Sequence, residues 1–239
     1  MVRVTTTPRA LVALILGYLL VAPGVAAQEP TTEGDSVGTL AGRIVLLKKG
    51  KPASESARAL IYFEPSTAVA HDPPEEPFEI VTLRKQFTPE SMIVPVGSTV
   101  RFPNEDAILH NVFSVSGKNR FDVGLYRRGE GKEVTFEHPG LVRIFCNVHH
   151  SMVSYLMVVD TPYFTTSTAE GEFQLDDLPA GSGTLTVWHP RTEPWSRELS
   201  IPDNSNVKVP IEVTKPRVPK HQNKEGKPYA RRRGRKAYD

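Results

Sequence analysis

Apolar and polar residues alternate over short stretches of this chain, and glycine or proline interrupts each stretch before a helical repeat develops. In Leu141-Val142-Arg143-Ile144-Phe145-Cys146, Arg143 faces one side and Val142, Ile144 and Cys146 face the other. A period of two belongs to a strand with one face turned to a core. The same reading predicts strands over residues 42–47, 59–63, 92–96, 99–103, 111–116, 133–137, 141–146, 155–159, 171–175 and 183–187. With 21 Pro and 17 Gly to supply turns, the expected fold class is all-β, built of sandwiches.

Breaks at Asp72-Pro73-Pro74-Glu75-Glu76-Pro77 and at Thr161-Pro162 set a middle block apart from the segments on either side. The earlier segment carries Gly38-Thr39-Leu40-Ala41-Gly42-Arg43-Ile44-Val45 and Ala59-Leu60-Ile61-Tyr62-Phe63. The later one carries Gly171-Glu172-Phe173-Gln174-Leu175, then a turn through Asp176 and Asp177 to Leu178-Pro179-Ala180-Gly181, then Leu185-Thr186-Val187-Trp188. Together they resemble the small transthyretin-like sandwich of carboxypeptidase regulatory-like domains. The resemblance implies one sandwich made of residues 38–70 and 165–213, with a second domain, 80–160, inserted between its strands. The alternative is two sandwiches in series.

Charge divides the chain differently. Arg3 and Arg9 precede an apolar run from Ala10 to Ala22, and Val25-Ala26-Ala27 offers a small-residue cleavage site, so residues 1–27 read as a secretory signal peptide. The run is short for a spanning helix, which needs about 20 apolar residues. The expected product is exported, to the periplasm or beyond the cell, without a transmembrane segment. Residues 28–213 carry 17 basic and 25 acidic side chains, whereas residues 214–239 carry ten basic and two acidic. The overall +2 therefore hides an acidic body and a basic tail. With few apolar residues, the tail is expected to be disordered when free. Its run Arg231-Arg232-Arg233-Gly234-Arg235-Lys236 suits an anionic partner or an envelope surface, and export argues against nucleic acid.

A single cysteine, Cys146, excludes an internal disulfide framework, a Cys-rich zinc site and a cysteine-held iron–sulfur cluster. It opens the sequence Cys146-Asn147-Val148-His149-His150-Ser151-Met152, in which Cys, His and Met recur every third residue. A thiolate, an imidazole and a thioether are the soft donors copper uses for electron transfer, usually with a second imidazole. His110 is the candidate for that histidine, at the start of a predicted strand. His150 competes with His149, and spacing favours His149. His71 and His138 read as solvated, Trp188-His189-Pro190 as packing and turn, and no nucleophile triad, phosphate loop or HExxH helix is present.

The middle block, with Phe87-Thr88-Pro89, Ile93-x-Pro95-Val96-Gly97-x-x-Val100-x-Phe102-x-Asn104-x-Asp106, His110-Asn111, Pro139-Gly140 and Cys146-x-x-His149-x-x-Met152, resembles the cupredoxins, in particular the plastocyanin and amicyanin branch. As a whole the chain is similar to bacterial exported proteins labelled methylamine utilization proteins. The resemblance implies a Greek-key sandwich holding one copper ion, with His110, Cys146 and His149 as equatorial ligands and Met152 as the long axial one. It also implies that Asn111 tethers the ligand loop. Amicyanin-like loops place Pro before the second histidine and Gly soon after the methionine, whereas this chain has Val148 and Ser154. The function expected is one-electron transfer between redox protein partners, without catalysis. Copper storage or delivery, and a structural or adhesion module without metal, are the competing readings.

Overall fold

Strand Val153–Val159 is buried along nearly its whole length, and that one strand explains how the molecule is organised. Leu156 and Val158 point into one hydrophobic core, and Tyr155, Met157 and Val159 into another. A strand covered on both faces loses the polar half of its alternation, hence the run Tyr155-Leu156-Met157-Val158-Val159.

The structure is a computed structural model that describes residues 37–202 and 206–229. The expected signal peptide, 1–27, and residues 230–239 of the basic tail lie outside the described residues. The fold is all-β, and the only helical turn among the described residues is Gly117–Asn119. No helix among them is long and apolar enough to cross a membrane.

The inner sandwich has a five-stranded sheet in the order Phe121–Tyr126, His110–Ser114, Gly140–Phe145, Val153–Val159 and Ser91–Pro95, the last pair parallel. A second sheet, Glu133–Thr135, Thr99–Arg101 and Phe78–Glu79, and the hairpin Val81–Leu83/Gln86–Thr88 complete it. Phe87, Val94, Val100, Phe102, Phe136, Ile144 and Leu156 pack in its core, together with Cys146 and Met152.

The outer sandwich is built from segments on both sides of that block. Val37–Lys48 pairs antiparallel with Glu172–Pro179 and parallel with Val207–Glu212. Facing it is the sheet Phe164–Thr166, Leu60–Pro65, Gly181–Trp188 and Trp195–Ile201. The core between them includes Leu40, Ile44, Phe63, Phe173, Leu185 and Val209. The third cluster, with Leu60, Ile93, Tyr155, Met157 and Trp188, joins the two sandwiches. There the Tyr155 and Trp188 rings lie 5.1 Å apart at 56°.

Three sequence expectations change. Asp176 and Asp177 are not in a turn but within strand Glu172–Pro179, at a bulge where pairing with Val37–Lys48 shifts register. Asp177 there adopts φ +55°, a conformation Asp tolerates better than most residues. Val207–Glu212 forms a strand that the sequence reading passes over, with Val207, Val209 and Ile211 buried and Lys208, Pro210 and Glu212 exposed. Pro210 lacks a donor, which an edge strand tolerates. The third change concerns the tail, expected to be disordered from Thr214. Residues 214–229 instead run against the body, beginning with Thr214 and Lys215 donating backbone N–H groups to Arg191 O at 2.9 and 3.0 Å.

Candidate metal centre

His110 opens strand His110–Ser114, and Cys146 follows the last residue of Gly140–Phe145. These neighbouring strands pair at Phe113 and Phe145, so the imidazole and the thiol meet at the same end of the sheet. Both residues are fully buried. The loop from Cys146 to Met152 then turns back, closed by Met152 N–H donating to His149 O at 3.1 Å, before Val153–Val159 begins.

The structure brings three of the expected residues together. Cys146 Sγ is 3.7 Å from His110 Nδ1 and 3.9 Å from His149 Nδ1. The three donor atoms all lie within 4.8 Å of one another. Met152 is buried in the same core cluster as Cys146. His150 is exposed, its ring 6.0 Å from that of Tyr229 rather than among the three donors.

A carboxylate fixes which nitrogen of His110 is available. Asp106 Oδ2 lies 2.9 Å from His110 Nε2. Burial pushes the Asp106 carboxyl up, but N–H groups of Lys85 and Arg84 at 2.9 and 2.7 Å, with His110, more than offset this and hold it below the usual carboxylate range. An ionised carboxylate can only accept, so Nε2 carries the proton and Nδ1 presents its lone pair toward Cys146. Burial lowers the His110 pKa, and Asp106 opposes the shift only in part, which favours the neutral, ligating form. Arg84 and Lys85 reach Asp106 because both take left-handed φ values, 53° and 59°, in the tight turn between Val81–Leu83 and Gln86–Thr88. Asn104 shapes the loop before His110 by accepting from Asp106 N at 3.0 Å and donating to Ile108 O at 3.0 Å.

The link from the Arg84-Lys85 turn to Asp106 crosses 22 and 21 positions and leaves no mark in the local sequence. The i, i+4 spacing of Asp106 and His110 was the available signal. Asn111 departs from its expected role. Its Nδ2 donates to Asp122 Oδ1 at 2.7 Å and Gly124 O at 2.9 Å, on the neighbouring strand, and its Oδ1 is buried without a partner. Among the described residues its side chain makes no hydrogen bond to the Cys146–Met152 loop. Asp122 is tied instead to Lys224, whose Nζ is 2.7 Å from Oδ2.

Among solved structures, the chain is similar to a purple cupredoxin from Nitrosopumilus maritimus, at 23% identity over 34% of this chain and 99% of that one, with a TM-score of 0.32. Amicyanin from Paracoccus versutus overlaps 39% of this chain and 96% of its own at 17% identity and a TM-score of 0.33. A Cu-containing nitrite reductase from Thermus scotoductus overlaps 48% of this chain and 28% of its own, at 22% identity and a TM-score of 0.34. No family model and no curated protein matches the chain.

A first-row metal ion bonds thiolate sulfur at about 2.3 Å and imidazole nitrogen at about 2.0 Å. Separations of 3.7 and 3.9 Å between sulfur and the two nitrogens leave room for one such ion between them. The donor set fits: a soft cysteine sulfur, two imidazoles and a thioether in the adjoining core suit copper better than a hard cation.

Proposed function

We propose that this chain is an exported type 1 copper protein that carries single electrons between redox partners. The observation supporting it is the convergence of His110 Nδ1, Cys146 Sγ and His149 Nδ1. Copper would supply the one-electron couple. Cys146, as thiolate, would hold the ion through its sulfur and offer a covalent path toward strand Gly140–Phe145. His110 is held in one tautomer and orientation by Asp106, a partnership that keeps a ligand's geometry constant through a change of oxidation state. Met152 is the weak donor whose polarizable sulfur tunes the potential. Cys146 and His110 are both fully buried, away from any substrate, which supports a carrier rather than an enzyme.

His149 is the half-buried member of the trio, and its edge is the exit for electrons. Exposed Ile108 and Leu109 precede His110, exposed Leu125 pairs with Asn111, and exposed Val148 precedes His149. These apolar residues flank the centre as a face on which a partner protein docks. The basic cluster from Arg231 to Lys236 suits an acidic redox partner.

Spectroelectrochemistry separates the electron carrier from a storage or delivery protein. A carrier loaded with Cu(II) bleaches on reduction and recovers its intense visible band on oxidation over many cycles, with copper retained. A protein that holds only colourless Cu(I), or that releases the ion in each cycle, contradicts the reading.

A further inference from the structure

The ligand loop lacks two restraints, and a third segment of chain supplies restraint from outside. The residue before His149 is Val148, not a φ-fixing proline, and Asn111 does not reach the loop. Against it lie residues 215–229. Tyr229 Oη donates to the carbonyl oxygen of Cys146 at 3.2 Å. Lys224 N–H donates to Asn147 Oδ1 at 3.1 Å, and Lys224 Nζ anchors on Asp122 at 2.7 Å. The His221 ring stacks on Phe145, centroids 4.0 Å apart and planes within 8°, and meets Tyr229 edge-on at 5.3 Å. Contacts thus reach Phe145, Cys146 and Asn147 in succession, where the strand gives way to the loop.

We propose that residues 215–229 form an internal strap that holds the ligand loop closed, with Tyr229 and Lys224 as positioning residues for the metal centre. The strap completes a chain of contacts from Asn111 through Asp122 and Lys224 to Asn147. Asn111 is thereby linked to the ligand loop by way of the C-terminal segment instead of directly. Each link is local and polar or aromatic, so the segment is held without an apolar stripe of its own. The effect on copper rests on the function proposed above, whereas the restraint of the loop does not.

Cys146 makes the restraint measurable without metal, because it is the chain's only thiol and is fully buried. A disulfide reagent reaches it only when the loop opens, so the reaction rate reports the opening equilibrium. Three metal-free chains are compared with the full chain: Tyr229→Phe, a chain ending at Thr214, and a control ending at Ala230 that keeps the strap. The proposal expects Tyr229→Phe to react about fivefold faster, the change for one lost hydrogen bond, with its urea midpoint near that of the full chain. The chain ending at Thr214 reacts faster still, and the control matches the full chain. With Cu(II) added, the first two variants should show altered copper hyperfine splitting and faster loss of copper to a chelator. Equal thiol rates in the full chain and Tyr229→Phe would overturn the strap, and this variant decides the matter even if the shortened chain fails to fold. Graded thiol rates without a Cu(II)–thiolate band in any chain would uphold the strap and reject the copper function.

Discussion

His110 Nδ1 and Cys146 Sγ lie 3.7 Å apart in the buried end of the inner sandwich, although 36 positions separate the two residues. Adjacent antiparallel strands hold them there, and Asp106 determines that the nitrogen facing the sulfur is the one without a proton. The donor set is therefore largely preorganised by hydrogen bonds that do not involve a metal.

Replacing Asp106 with Asn tests that preorganisation. The amide oxygen can still accept from His110 Nε2, but the negative charge that strengthens the imidazole as a donor is lost. Cu(II) affinity should fall about 10- to 100-fold, as for other partners of metal-bound histidines, and the reduction potential should rise. Competitive chelation and voltammetry measure both. An unchanged potential would show that the carboxylate only orients the ring.

The two adjacent histidines make a sharper comparison. His150→Ala should keep the visible band and the copper stoichiometry of the natural chain, whereas His149→Ala should lose the band or convert it to a different copper spectrum. The opposite pattern would move the ligand by one position.

Spacing along the chain made much of the centre legible. Cys146, His149 and Met152 share one loop, and the alternation of residues 141–146 turns Cys146 toward the core. Asp106 was less legible, because its role depends on Arg84 and Lys85 taking left-handed conformations in a distant turn. Composition also hid the packing of residues 214–229, since a segment with few apolar residues can still be held by one stacked ring and a few directed hydrogen bonds. Strands such as Trp195–Ile201, with Arg197 and Glu198 adjacent and exposed, offer only two buried positions, Leu199 and Ile201, to mark them. Likewise, Gly124 interrupts the pattern of Phe121–Tyr126 at a register shift.

Trp188 belongs to the outer sandwich yet packs on Tyr155 of the inner one. Trp188→Ala should cost about 3–5 kcal/mol and lower the urea midpoint of both sandwiches together. If near-UV signals from the two sandwiches separate into independent transitions in the natural chain, they are not energetically coupled through this contact.

The pH dependence follows from two buried histidines. Burial lowers the pKa of His110, against the opposing Asp106, and that of His189, against a smaller opposing contribution from Ser56. Between the folded and unfolded pKa values the unfolded chain binds more protons, so stability rises with pH. In the metal-free protein this contribution is present in full above the unfolded histidine value of about 6.5 and is lost as pH falls through the lowered folded values. Urea titrations between pH 8 and pH 5 (roughly the span in which histidine titrates) should show stability falling on acidification, less steeply in His189→Gln. A flat profile would contradict the assignment of both rings as neutral in the folded state.

The central claim is that Cys146 thiolate, His110 and His149 hold a single copper ion, and the most direct measurement is a Cu(II) titration of the purified chain followed by visible absorption and EPR. The account predicts an intense thiolate-to-copper band that saturates at one equivalent and disappears in Cys146→Ser. No band in the natural chain, or the same spectrum in Cys146→Ser, would contradict it.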